Sequence, residues 1–206
     1  MLPTLRQPEF HNGDRMSREE FLQRWEQIPD LKNAELIEGV VYLSSPVSRS
    51  HGSYDSLLHG WLHHYAHVSE RDLEIDVNTT LLLGESSFQP DLAVLDVGYR
   101  KTIQPGYLEL LPILVVEICY SSRSYDLGPK LAAYRSAGLR EYVTVLLEEK
   151  RVEWRVLNGT RYRLLPQPKD HILRSPHLNG LWLDTQALFP PDRKRLFAAV
   201  DRGLAK

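Results

Sequence analysis

Cysteine is nearly absent from this chain. Cys119 stands alone among 206 residues, which excludes a disulfide framework and a CxxC pair. Long apolar runs are missing too. No stretch approaches the roughly 20 apolar residues that a membrane-spanning helix needs, and residues 1–15 lack the apolar core of a signal peptide. The expectation is a soluble, cytoplasmic protein with no membrane partner. Nor is there an excess of charge of one sign. Lys and Arg number 25 against 27 Asp and Glu, a formal net charge of -2. That argues against a cationic nucleic-acid coat. It still allows an acidic, metal-holding centre inside a local basic rim. A glycine-rich phosphate loop and a serine nucleophile elbow are both lacking. There are no internal repeats and no low-complexity segments.

What is present suits a single core. The chain is 42% hydrophobic and 25% charged, within the range of globular domains. Residues 1–16 read as a flexible N-terminal arm, 17–190 as the main domain and 191–206 as a C-terminal helix. Ser17-Arg18-Glu19-Glu20 has capping-box spacing and opens a short helix. Glu35–Ile37 and Val40–Leu43 flank Glu38-Gly39 as a hairpin. From Arg49 to Val68, Tyr54, Leu57, Leu58, Trp61, Leu62 and Tyr65 recur at helical spacing. Strands are expected over 77–83, 90–95 and 113–119, the last buried at the centre of a sheet. Residues 98–112 read as loop. A helix follows from a cap at Asp126 to Ala137, stopped by Gly138. Strands are then expected over 141–147, 152–157 and 162–165, the last two joined at Asn158-Gly159. Residues 166–180 read as loop, followed by a short strand at 181–183 and a helix over 192–202. The order is that of an α/β (α+β) protein with one central mixed sheet.

Carboxylates in apolar company carry the chemical signal. Glu117 lies inside Val115-Val116-Glu117-Ile118-Cys119, and a charge in a buried strand is costly unless it is paired or metal-bound. Asp91 follows Pro90 at the start of another apolar run. Two carboxylates from neighbouring strands can hold a hard divalent ion such as Mg²⁺ or Mn²⁺, with waters left over for chemistry. Glu35 is a candidate third acid, or a solvent-facing strand residue. Lys130 either forms an exposed pair with Asp126, four residues earlier, or points back to the Glu117 strand and steadies a charged transition state. His51 at the head of the long helix, with Arg49 and Arg123, are candidate phosphate contacts. His59, His63 and His67 share one helix face beside His64 and read as a solvated face more readily than as a transition-metal site. Cys119 reads as a small buried hydrophobe.

An ordered series of short motifs runs through most of the chain. It comprises Glu35-Leu36-Ile37-Glu38-Gly39, His51, Gln89-Pro90-Asp91, Val115-Val116-Glu117, Tyr125-Asp126 to Lys130, Tyr134, Gly138 to Tyr142, and Arg174-Ser175-Pro176 with Leu178-Asn179-Gly180. In this the chain resembles the Uma-type restriction endonuclease family of the PD-(D/E)xK nuclease superfamily, over residues 17–189. The resemblance implies a restriction-endonuclease-like core. It implies Asp91, Glu117 and Glu35 as ligands of Mg²⁺ or Mn²⁺, and DNA as the partner. The superfamily lysine usually lies two residues after the glutamate. Here that position is Cys119, and the family pattern moves the lysine to the following helix, at Lys130. The implied function is metal-dependent endonuclease. The alternative is a catalytically inactive module of the same fold that binds nucleic acid or protein. A homodimer is expected by analogy, because two nicks need two active sites.

Overall fold

The computed structural model describes residues 9–44, 46–97, 106–120 and 122–205. The first half of the expected arm and the greater part of the expected 98–112 loop lie outside these residues.

Helix α1 (Arg18–Trp25) is capped by the Ser17 hydroxyl, which accepts from the Glu20 amide, while the Glu20 carboxylate pairs with Arg24. Strands β1 (Ala34–Ile37) and β2 (Val40–Leu43) form the hairpin. Its two turn residues, Glu38 and Gly39, both have positive φ, the geometry of a tight hairpin turn. The later part of the arm, residues 9–16, is docked against this unit and so departs from the expectation. Phe10 is buried and stacks on Phe21 at 5.1 Å, and the Gly13 amide donates to the Val41 carbonyl. Two aromatic rings that exclude water outweigh the Gly13 of the segment.

Helix α2 (Arg49–Val68) is capped by Ser48. Five more strands precede the next helix: β3 (Leu73–Val77), β4 (Leu81–Leu83), β5 (Ser86–Phe88), β6 (Leu92–Asp96) and β7 (Leu114–Cys119). The single strand expected over 77–83 is therefore two, because Asn78 takes a positive φ and turns the chain. Strand β5 has no apolar alternation to reveal it. The helix expected from Asp126 is also two, α3 (Arg123–Asp126) and α4 (Pro129–Ala137). Asp126 ends the first instead of capping the second. Pro129 disfavours a helical residue before it, and Gly128 makes the corner: a Cβ there would stand 2.5 Å from the Ser124 carbonyl oxygen. Then come β8 (Glu141–Leu146), β9 (Arg151–Asn158), β10 (Arg161–Leu164), β11 (Ile172–Arg174), β12 (Trp182–Asp184) and α5 (Arg193–Leu204). Strand β11 lies within the expected 166–180 loop. It is three residues long and gains its pairing only from β12.

The central sheet runs β10-β9-β8-β7-β6-β3, with β7 and β8 parallel and its other pairs antiparallel. A second sheet runs β2-β1-β5-β4. Side-chain alternation on β7 sorts the layers. Leu114, Val116 and Ile118 pack with Leu58, Trp61 and Leu62 of α2 and with Leu196 and Val200 of α5. Val115 faces the other way, with Ala133 and Tyr134 of α4, Tyr142 of β8 and Phe88 of β5. The C-terminal helix is thus part of the main core. Glu117 shares the α4 face.

Candidate active site

A cleft of about 320 Å³ opens between the start of α2, the hairpin and the C-terminal end of β7. Glu35, His51, Asp91, Glu117 and Lys130 all line it. Arg49 and Arg123 do not, although each follows a residue that does, Ser48 and Ser122. Arg123 instead pairs with Glu149 at 2.6 Å.

Register explains the assembly. Leu92 of β6 pairs with Val116 of β7, so Asp91 comes alongside Glu117. The Oδ2 atom of Asp91 accepts from the Ile118 amide at 2.7 Å and lies 3.3 Å from His51 Nε2. Its Oδ1 has no hydrogen bond among the described residues. Glu117 is 4% exposed at its side chain. Its Oε1 meets Lys130 Nζ at 2.8 Å and accepts from the Tyr134 hydroxyl at 3.4 Å, while Oε2 is likewise without a partner among the described residues. Lys130 is buried, which rules out the exposed pair with Asp126. Its ammonium also meets Glu35 Oε1 at 3.0 Å. The Gly128-Pro129 corner puts Lys130 in the first turn of α4, from which it reaches back to the strand.

Glu35 is held on all sides. Oε1 accepts the Gln89 amide at 2.6 Å as well as Lys130, and Oε2 accepts the Tyr125 hydroxyl at 2.9 Å. Tyr125 packs at a tilt on Tyr42, which pairs with Glu35 across the hairpin. Burial pushes the Glu117 carboxyl above its ordinary range, against the pull of Lys130. Burial works against the Lys130 charge as well, yet Glu117 and Glu35 hold its pKa above the usual lysine value. The hydrogen bond to Asp91 raises His51.

Asp55, one turn after His51 on α2, also lines the cleft, and burial raises its pKa. Sequence reasoning passed over it, although its four-residue spacing from His51 was visible. Tyr125 and Tyr134 belonged to the motif series without a role, and only their hydroxyl contacts supply one. Burial raises the Cys119 thiol, in keeping with a small hydrophobe. The other histidines are spread out: His59 packs on His63, while His64 lies 2.7 Å from Asp201 and stacks on Phe197. Among the described residues no three His, Cys, Asp or Glu side chains are gathered as a ready metal cage, and no helix is long and apolar enough to cross a membrane.

The family model described as "Uma2: Putative restriction endonuclease" matches residues 18–186. The chain belongs to the Uma2 family. The match begins at α1 and takes in every residue lining the cleft. No curated protein sequence matches this Uma2 member. Among solved structures it is similar to one titled "Crystal structure of a putative nuclease belonging to DUF820" from Anabaena variabilis ATCC 29413. That likeness has a TM-score of 0.65 at 16% identity and covers 90% of this chain and 99% of the other. At that identity the likeness shows the fold, a mixed sheet flanked by helices.

Proposed function

We propose that this Uma2 protein is a divalent-metal-dependent endonuclease that hydrolyses DNA phosphodiester bonds. One observation carries the reading. Asp91 and Glu117 line one cleft, each with a carboxylate oxygen unengaged among the described residues, and Glu117 itself fixes an ammonium there. Family membership supports a nuclease.

Two carboxylates with a free oxygen apiece suit Mg²⁺ or Mn²⁺, which accepts few protein ligands and keeps several waters. Asp91 and Glu117 would hold the ion, and it would supply a polarised phosphate and a water of lowered pKa. The chain does the rest. The Ile118 amide and His51 fix Asp91 through Oδ2, which leaves Oδ1 to the cleft. Lys130 has three N–H donors and gives two to Glu35 and Glu117. Its third is available to a phosphate oxygen or to the attacking water, where a fixed cation steadies the charge that develops. Arg49, and Arg123 once freed from Glu149, would meet the DNA backbone further out.

The test is cleavage of supercoiled plasmid and of single-stranded DNA with Mg²⁺ or Mn²⁺, wild type beside Glu117→Ala. The expected result is nicking by the wild type alone. Equal behaviour of the two proteins would overturn the reading.

A further inference from the structure

Of the five carboxylates that line the cleft, the three expected as metal ligands, Glu35, Asp91 and Glu117, differ in which oxygen atoms are already engaged. Asp91 and Glu117 each keep one oxygen without a hydrogen bond among the described residues. Glu35 keeps none: Gln89 N–H and Lys130 Nζ occupy Oε1, and the Tyr125 hydroxyl occupies Oε2. The one Glu35 lone pair still open, on Oε2, is shared with a buried hydroxyl, and an ion taking any other would strip an amide, hydroxyl or ammonium of its acceptor. The surroundings oppose such a change. The Tyr125 ring is set by Tyr42 at 4.3 Å, the Lys130 ammonium lies 5.7 Å from the centre of the same Tyr125 ring, and the Glu35 side chain is 5% exposed.

We infer that Glu35 is a positioning residue for Lys130 and not a ligand of the divalent ion, with Tyr125 holding Glu35 in turn. This deepens the nuclease reading and rests on it. Glu117 alone would tether the ammonium at one point and let it swing. Glu35 supplies the second point, from β1 of the hairpin. Between them they fix the direction of the remaining N–H. The sequence resemblance placed Glu35 among the metal ligands; the hydrogen bonds assign it to the lysine.

The test separates ligand from holder by measuring Mn²⁺ affinity calorimetrically on the full chain, without DNA. Glu117→Gln and Asp91→Asn, which each remove a ligand, should lose more affinity than Glu35→Gln, whose loss at one remove from the ion should not exceed about 10-fold. Loss in Glu35→Gln equal to that in Glu117→Gln would overturn the inference. In the same proteins, a ¹⁵N-lysine NMR signal from the buried Lys130 ammonium, sharp in the wild type, should broaden or vanish in Glu35→Gln. An unchanged signal would also overturn it. Should Glu35→Gln fail to fold, Tyr125→Phe removes a single hydroxyl from Glu35. Mn²⁺ affinity should then hold and the Lys130 signal weaken, and the reverse pattern would overturn the inference. A wild type that binds no Mn²⁺ would defeat the metal reading of the cleft, while the Lys130 signal would still decide what Glu35 does.

Discussion

Glu117 and Glu141 sit on neighbouring parallel strands, β7 and β8, and both are buried. They face opposite sides of the sheet and are served by different donors. Glu141 has both oxygens covered: Oε2 accepts the Trp154 indole N–H at 2.6 Å, and Oε1 accepts the Ser175 hydroxyl at 2.6 Å and the His177 amide at 3.0 Å. His177 Nδ1 is a further 2.9 Å contact to Oε1. Ser, His and Glu are the residue types of an acyl-transfer triad, but Ser175 and His177 both engage the same carboxylate oxygen instead of forming a chain from hydroxyl to ring to acid. Glu141 pins the 175–178 segment to the back of the sheet. Glu117 is tied through one oxygen to an ammonium, and its other oxygen is left for the cleft. Burial alone therefore does not mark a functional carboxylate. What distinguishes the two is whether an oxygen remains to be used.

That contrast can be broken by exchanging effects. Glu141→Ala should strip acceptors from an indole, a hydroxyl and an amide at once, and lower stability by about 3–5 kcal/mol. Urea unfolding would show it, while Mn²⁺ affinity of the folded fraction stays at the wild-type level. A stability loss below about 1 kcal/mol would make Glu141 a bystander. Glu117→Gln should do the opposite. The amide still accepts from Lys130, so stability changes by less than about 1 kcal/mol, while DNA cleavage falls on the order of 10²–10³-fold. Large loss of both properties in one variant would erase the distinction.

Two smaller effects sharpen it. His51 has a raised pKa because of its hydrogen bond to Asp91. Its contribution to the metal-free protein is complete below the unfolded value of about 6.5. It is lost as pH rises through the higher folded value, because the native state then gives up the proton it held more tightly than the unfolded chain. Unfolding measured from pH 5 to pH 8.5 should show a shallow decline that His51→Gln removes, and a decline that persists in the variant would place its cause elsewhere. Cys119→Ser should be the mildest change, costing about 1 kcal/mol for a buried hydroxyl and lowering cleavage by less than about threefold. A larger fall in rate would bring the thiol into the chemistry.

Legibility followed the same division. Glu117 was visible because one charge interrupts five otherwise apolar positions, and α2 because its apolar residues keep helical spacing. Glu141 opens its strand next to Arg140, with no apolar run before it to set it off; its partners at 154, 175 and 177 come from distant segments. Strand β5, Ser-Ser-Phe, has no periodicity to read, and β11 exists only because β12 pairs with it. The motif series located Asp91, Glu117 and Lys130, but local sequence could not tell a carboxylate that faces the cleft from one that grips a lysine. That difference lies in a tyrosine hydroxyl and a backbone amide, Tyr125 and Gln89, delivered by other elements.

The corner at Gly128-Pro129 has a consequence for mutation. By turning the chain sharply between α3 and α4, it lets a helix deliver the ammonium that meets Glu117 and Glu35. The placement of that charge depends on a glycine outside the cleft lining, because any side chain at 128 would collide with the Ser124 carbonyl.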